Sequence, residues 1–369
     1  MNEFLKPDFS NSNLNITSTL AEFLGCENDK TTLKILKDEL AKNYKNIVFI
    51  CYDGLGIHPI SVNLDEDTLL RRNIKQVLTS TFPSTTTNAT TSLLSNKYPL
   101  EHGWFGWSLN FEEMNKNIDI FPKRDSFTAE PIEITSSPIK PQPHYFNSAN
   151  TDYEIHTVLP SYVETYSESK NHPFKEESDL FNNIKTILDK PGKHFIYSYY
   201  GEPDTTMHEF GVTSAEAKKL IERLDKKTYE LYKNTKDTLF IITADHGQVD
   251  IEGYVDFYGD KRLMDMLKIY PYLDARAVAF KVKDGYHKEF EKYFKKTYKK
   301  DFILHKSEDL IKEGYFGPVG DKGYLLGDFI AIGTFTHKTA IMTPISHRFK
   351  GHHTSLTEEM EVPLIMFNN

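Results

Sequence analysis

The sequence has little cysteine, little tryptophan and no long apolar run. Its 369 residues include two cysteines and two tryptophans. Cys26 and Cys51 allow one disulfide at most. No export leader is recognisable, so no bridge is expected, and Cys51, inside an apolar run, reads as a small core residue. No stretch approaches the ~18 consecutive apolar residues of a bilayer-spanning helix, so no membrane partner is expected. The opening residues, MNEFLKPDFSNSNLNITSTL, show no basic segment leading into an apolar one. A signal peptide is therefore not expected, and the expected location is cytoplasmic. The glycosylation-like triplets at Asn15 and Asn88 are then chance matches. Positive charge is also in deficit, with 44 Lys and Arg against 53 Asp and Glu. That balance argues against a nucleic-acid polymer or a membrane surface as the main partner.

What the chain does have is apolar runs that end in metal-binding residue types. Residues 47–52 run into Asp53. Residues 194–200 lead to Asp204, with His208 four residues on. Residues 239–244 deliver Asp245 and His246. Each run has the length and the β-branched or aromatic content of a buried parallel strand. Ligands of open α/β sheets bind beyond the carboxyl ends of the strands, so these residues are expected to converge. A lone surface Asp or core His means little; three occurrences at strand ends mean more. Carboxylate and neutral imidazole suit zinc, and Asp204 and His208, at i and i+4, share one side of a helix that starts after Pro203. How the adjacent Asp245 and His246 would both reach one ion is left open by the sequence.

Strand and helix patterns alternate, which predicts an α/β fold: a mostly parallel sheet with helices on both faces. After a polar lead-in, a helix is expected over 31–42, and others over 177–188 and 214–232. Residues 112–175 turn polar and Pro-rich, from Pro122 to Pro173 with Pro138 between, and read as a long irregular excursion. Residues 275–282, 285–299 and 302–305 read as strand, basic amphipathic helix and strand. The Lys-rich face of that helix is expected to face water. The expected division is a catalytic core over 1–255, a small α+β cap over 256–318, and a return to the core over 319–369. Residues 329–333 and 363–367 are expected to rejoin the core sheet.

Residues 82–92, FPSTTTNATTS, are rich in hydroxyls. Such a stretch serves as an ordinary helix N-cap, and equally as a nucleophile loop, because a helix N-terminus presents N–H groups and positive potential to a phosphate. Composition does not decide between the two.

Five blocks in order resemble the alkaline phosphatase superfamily, in its type I phosphodiesterase/nucleotide pyrophosphatase branch. They are Cys51-Tyr-Asp-Gly54; Phe82-Pro-Ser-Thr-Thr86 with Tyr98-Pro-Leu-Glu-His-Gly103; Glu202-Pro-Asp-Thr-Thr-Met-His208; Thr243-Ala-Asp-His-Gly247; and Gly351-His-His-Thr-Ser-Leu356. The resemblance implies an alkaline-phosphatase-like three-layer α/β/α sandwich and a phosphothreonine mechanism on two divalent ions, zinc or alternatively manganese. It implies that Asp204, His208 and His353 hold one ion. Asp53, Asp245 and His246 hold the other, shared with the nucleophile Thr86. Thr85 and Thr87 are the alternatives if the register slips. His102 belongs to the motif as a structural residue. The implied substrate is a small phosphodiester or pyrophosphate, nucleotide-like; the oligomeric state is not implied.

Two departures bear on specificity. The Asn that relatives use on a phosphate oxygen aligns with Trp107, leaving Asn110 as the nearest candidate. Trp104 and Trp107 share one segment and are either packing residues or a stacking wall for a planar leaving group. No Arg lies between Arg72 and Arg124 to grip a monoester dianion. A phosphomonoesterase or phosphonate hydrolase on the same metal core is therefore the alternative reading. A sulfatase is not expected, since neither cysteine has the Cys-x-Pro-x-Arg setting. A dinucleotide fingerprint fails because Pro59 stands where the third glycine belongs. A non-catalytic protein that keeps the ligands is disfavoured by the intact Thr86.

Overall fold

The computed structural model describes residues 4–133, 140–164 and 167–369; Pro138 lies outside them. The first sheet has seven strands. From edge to edge they are Ile74–Thr79, Glu361–Asn368, Thr238–Thr243, Asn46–Tyr52, Lys193–Tyr200, Tyr153–Val158 and Lys170–Asn171. Thr238–Thr243, Asn46–Tyr52, Lys193–Tyr200, Tyr153–Val158 and Lys170–Asn171 pair in parallel, while Glu361–Asn368 runs antiparallel to both its neighbours. Every residue of Asn46–Tyr52 and Thr238–Thr243 is buried. This explains why their sequences show no alternation: a strand covered on both faces needs apolar side chains on both.

Two helix groups flank this sheet. One contains Asn13–Phe23, Lys34–Leu40, Thr86–Ser95 and Pro99–His102. The other contains Ile57–Asn63, Leu69–Arg72, Glu177–Leu188, Asp204–Phe210 and Ala215–Lys233. The architecture is the expected α/β one. The helix expected over 214–232 is Ala215–Lys233, capped by Ser214, whose Oγ accepts from Ala217 N at 3.1 Å. Asn13–Phe23 lies in the stretch read as a polar lead-in. Its polar residues face inward rather than to water: Ser12, Asn13, Asn15, Thr17 and Ser18 are all buried. Asn15 Oδ1 accepts from Ser12 N at 2.7 Å, and Thr17 Oγ1 donates to Leu93 O at 2.9 Å. Buried polar groups of this kind are tolerated because they are hydrogen-bonded.

A second, fully antiparallel sheet runs Phe302–Lys306, Phe329–Gly333, Ala277–Phe280, Tyr272–Leu273, Ser108–Phe111, Lys116–Asp119, Arg124–Asp125. Two expectations are corrected here. Phe329–Gly333 does not rejoin the first sheet; it pairs with Ala277–Phe280 and Phe302–Lys306, and all five of its residues are buried. An apolar run marks burial but does not say in which sheet. The 112–175 excursion is not wholly irregular either, since it supplies Lys116–Asp119 and Arg124–Asp125 to the second sheet and Tyr153–Val158 to the first. The sequence of Tyr153–Val158, YEIHTV, hides its strand character because Glu154 and His156 interrupt the apolar pattern.

Candidate metal centre and nucleophile

Asp53 follows Asn46–Tyr52, and Asp245 and His246 follow the adjacent parallel strand Thr238–Thr243. The turn after Asp53 needs Gly54, whose φ is +71° and whose Cβ, if it had one, would lie 3.1 Å from Asp204 Cβ. That close approach brings the third strand end in. Asp204 N donates to Asp53 O at 3.1 Å, and Asp204 opens the helix Asp204–Phe210 with His208 one turn on. His208 Nε2 lies 3.2 Å from Asp204 Oδ2.

Asp53, Asp245 and His246 form one potential ligand set, with donor atoms within 4.8 Å of one another. His246 Nε2 is 3.3 Å from Asp53 Oδ1 and 3.4 Å from Asp245 Oδ2. Asp245 and His246 both face this point because Asp245 Oδ1 accepts from Gly54 N and from His246 N, each at 3.0 Å, which folds the turn back on itself. Asp204, His246 and His353 form a second set, and His208, His352 and His353 a third. Asp204 thus connects His208, at 3.2 Å, with His353, whose Nε2 is 3.9 Å from Asp204 Oδ1. The His246 and His353 rings stack with centroids 3.7 Å apart.

His352 is engaged elsewhere. Its Nδ1 accepts from His353 N at 2.8 Å and its Nε2 faces Asp274 Oδ1 at 3.6 Å. His208 and His246 are each oriented through the other ring nitrogen, by Nδ1 hydrogen bonds to Gly351 O at 2.7 Å and Gly247 O at 2.9 Å. Fixing the tautomer in this way leaves Nε2 as the free lone pair.

Thr86 is the first residue of the helix Thr86–Ser95. Its Oγ1 lies 3.2 Å from His246 Nε2 and 3.4 Å from Asp53 Oδ1. Thr85 turns its hydroxyl to Asp274, and Thr87 is buried with Oγ1 unpartnered. Of the three threonines, Thr86 is the one at the ligand cluster.

The donor set fits divalent cations. Three carboxylates, Asp53, Asp204 and Asp245, are buried together. Among the described residues, only histidines form ion pairs with them. Burial, and then the Asp53 charge, push Asp245 well above the ordinary carboxylate range. Burial works against the charged form of His246, yet the Asp245 and Asp53 carboxylates raise it to about 10. A cluster of this kind calls for positive charge. Asp245 Oδ2 and His353 Nδ1 are also buried without a hydrogen-bond partner.

Several supporting residues carry no signal in the sequence. Tyr199 O–H donates to Asp53 Oδ2 and Gln248 Nε2 donates to Asp204 Oδ1. Asn13 Nδ2 donates to Asp245 O at 3.2 Å. His102, by contrast, was expected from the motif as a structural residue; it is buried, its Nε2 meets Ser92 Oγ at 2.9 Å and its Nδ1 accepts from Trp104 N at 2.9 Å, which ties the Thr86–Ser95 helix to the next loop. Tyr162 is 75% exposed, and its hydroxyl lies 2.9 Å from where a Cβ on Gly201 would be.

The expected substrate-binding residues Asn110, Trp104 and Trp107 take partners of their own. Asn110 Nδ2 donates to Asn117 Oδ1 at 3.1 Å and to Lys116 O at 3.3 Å, because the hairpin register places Asn110 opposite Asn117. Trp104 Nε1 donates to Lys140 O at 3.0 Å and its ring packs on Phe121. Trp107 also contacts Phe121 but keeps 41% of its surface exposed.

This arrangement of sheet and site defines the chain as an alkaline-phosphatase-like protein. Murine ectonucleotide pyrophosphatase/phosphodiesterase 5 shares the fold, with a TM-score of 0.62 at 15% identity over 88% of each chain. A structure of an inactive form of that murine protein holds AMP. Phosphonoacetate hydrolase from Sinorhizobium meliloti shares it equally, with a TM-score of 0.60 at 15% identity over 86% of this chain and 89% of that one. Residues 67–355 match the family model for type I phosphodiesterase/nucleotide pyrophosphatase, and the chain belongs to that family. Human ectonucleotide pyrophosphatase/phosphodiesterase family member 1 is 25% identical over 227 residues, 58% of this chain. Mouse family member 7 is 28% identical over 132 residues, 33% of this chain. The matched stretches span 24% and 29% of those two relatives.

Proposed function

We propose that the chain is a metal-dependent hydrolase of phosphodiester or pyrophosphate bonds in small, nucleotide-like substrates, with Thr86 as nucleophile. The observation that carries this reading is Thr86 Oγ1 at 3.2 Å from His246 Nε2 and 3.4 Å from Asp53 Oδ1, at a helix N-terminus. Family membership and the AMP bound to the murine relative support the substrate class.

Asp53, Asp245 and His246 would hold one divalent ion and Asp204, His208 and His353 the other, zinc being the first choice for this donor set. Such ions, when bound, lower the pKa of a nearby hydroxyl and offset charge on phosphoryl oxygens. The chain's own residues do the positioning. The start of the Thr86–Ser95 helix directs N–H groups at the incoming phosphate. Tyr199 holds the Asp53 carboxylate in place. Thr86 Oγ1 bonds to phosphorus as the bond to the leaving oxygen breaks, and water then cleaves the phosphothreonine and restores the hydroxyl.

The test is turnover of matched diester, pyrophosphate, monoester and phosphonate substrates by metal-loaded and chelated protein. Diester or pyrophosphate turnover that chelation abolishes and zinc or manganese restores is expected. A higher kcat/KM for a monoester or a phosphonate than for every diester and pyrophosphate would replace the proposal with the alternative. Full activity of metal-free protein would remove the metal chemistry altogether.

A further inference from the structure

A second group of metal-ligand residues lies at the far end of the same sheet. Tyr153–Val158 and Lys193–Tyr200 pair in parallel, with Glu154 opposite His194 and His156 opposite Ile196. Glu154 and His156, two apart on one strand, project from the same face. Glu154 Oε2, His156 Nε2 and His194 Nδ1 meet there: His156 Nε2 is 3.0 Å from Glu154 Oε2 and 3.1 Å from His194 Nδ1, and the third edge of the triangle is 3.6 Å. His194 is six residues before Tyr200, where the strand delivers the chain to Asp204. At the rise of a strand that separates the two clusters by about 20 Å.

Hydrogen bonding alone accounts poorly for this triangle. A single proton on His156 Nε2 would have to serve both Glu154 Oε2 and His194 Nδ1. Nothing would then lie on the third edge, between Glu154 Oε2 and His194 Nδ1. A cation fits better. A tetrahedral zinc with bonds of about 2.0–2.1 Å spaces its ligand atoms about 3.3–3.4 Å apart, and the observed edges bracket that value.

The surroundings are those of a metal site. His156 Nδ1 meets His172 Nε2 at 3.1 Å, which fixes the ring and leaves Nε2 facing the triangle. The side chains of His156 and His194 are buried, while that of Glu154 is 38% exposed and opens the group to solvent. Lys170 pairs with the other oxygen, Oε1, leaving Oε2 to the triangle. Lys170 belongs to the edge strand Lys170–Asn171, and His172 N donates to Thr157 O at 2.8 Å.

We propose that Glu154, His156 and His194 bind a zinc-type divalent cation at a site separate from the Thr86 cluster, where it joins Tyr153–Val158 to Lys193–Tyr200 and steadies the sheet's edge. The assignment does not depend on the proposed hydrolase activity.

The experiment is zinc content per full-length chain, after saturation and removal of loosely held metal, for wild type, Glu154→Gln and His194→Gln. Each variant is expected to hold one equivalent less than wild type, whatever number the Thr86 cluster takes, and to keep diester turnover. Cobalt substitution should give tetrahedral visible bands in the wild-type-minus-Glu154→Gln difference spectrum. Thermal midpoints should differ between zinc-loaded wild type and Glu154→Gln but coincide after metal removal. Glu154 is part-exposed, so its variant is expected to fold; the cobalt difference spectrum on that one variant suffices if His194→Gln does not. Equal zinc content in wild type and Glu154→Gln, or a flat cobalt difference spectrum, overturns the site.

Discussion

Arg276 and Glu359 form an ion pair that water does not reach, with Nε donating to Oε1 at 2.5 Å and both side chains 0% exposed. Arg276 belongs to the stretch just before Ala277–Phe280 of the second sheet. Its Nη1 donates to Lys338 O at 2.9 Å and its Nη2 to Thr334 O at 3.2 Å. Glu359 Oε2 accepts from Ser355 N and Leu356 N, each at 2.7 Å. That loop carries His353, and Thr354 O accepts from Ser84 N at 2.9 Å and Ser84 Oγ at 2.8 Å. The second sheet therefore sets the position of the loop that carries His353 and, through it, of the segment before Thr86.

Removing one partner of this pair strands the other charge in the interior, a loss of about 3–5 kcal/mol. Arg276→Met is predicted to lower the unfolding free energy by that amount in urea titrations, and Arg276→Met combined with Glu359→Gln to recover part of it. A single variant within about 0.5 kcal/mol of wild type would show that the pair is not what holds the loop.

Thr86→Ala is predicted to lower kcat by at least ~10³-fold, on the scale of other nucleophile deletions, while the metal content stays unchanged. Thr86→Ser should keep part of the rate. Thr85→Ala should remain active, because the Thr85 hydroxyl is turned to Asp274 rather than to the cluster. Loss of activity in Thr85→Ala with an active Thr86→Ala would move the nucleophile by one residue.

His102 gives a pH signature. Burial, and then Lys97, lower it to about 3 from an ordinary value of 6.5. Between those values the unfolded chain binds a proton that the folded chain does not. The stability it supports is complete above about pH 6.5 and declines as pH falls toward 3, by up to about 1.4 kcal/mol per pH unit. His102→Gln is predicted to flatten that part of the profile, after whatever constant loss follows from the Ser92 contact. Unfolding free energies at pH 7 and pH 5 provide the check: an unchanged difference between them in the variant removes His102 from the account.

The two indoles should separate. Trp107 is the more exposed, and Trp104 is tied to Lys140 O. If a planar leaving group stacks on an indole, the contribution is roughly 1–3 kcal/mol, or about 5- to 150-fold in KM. Trp107→Ala is predicted to show that rise for nucleotide substrates and little change for a small alkyl diester. An equal effect on both substrates, or none on either, makes Trp107 a packing residue.

What the sequence determined by itself was chemistry tied to strand ends. Buried parallel strands read as unbroken apolar runs, and their carboxyl ends must converge, so Asp53, Asp204, His208, Asp245 and His246 were legible without coordinates. The motif order added Thr86 and His353. Tertiary structure decided everything that depends on pairing between distant segments. Phe329–Gly333 could have joined either sheet, because burial leaves the same apolar signature in both. The hydrogen bonds of Asn110 to Asn117 and Lys116 follow from a hairpin register that no local pattern shows. Arg276 and Asn13 look like ordinary surface or lead-in residues until the fold buries them and aims their polar groups at Glu359 and Asp245 O, and Tyr199, in a run already read as a strand, gives no sign that its hydroxyl meets Asp53. Glu154 and His156 share a strand face, but His194 lies 38 residues beyond His156, and only strand pairing brings it to them. Periodicity records which side of an element is buried; which atoms then meet is set by the other segment, and that information is not local.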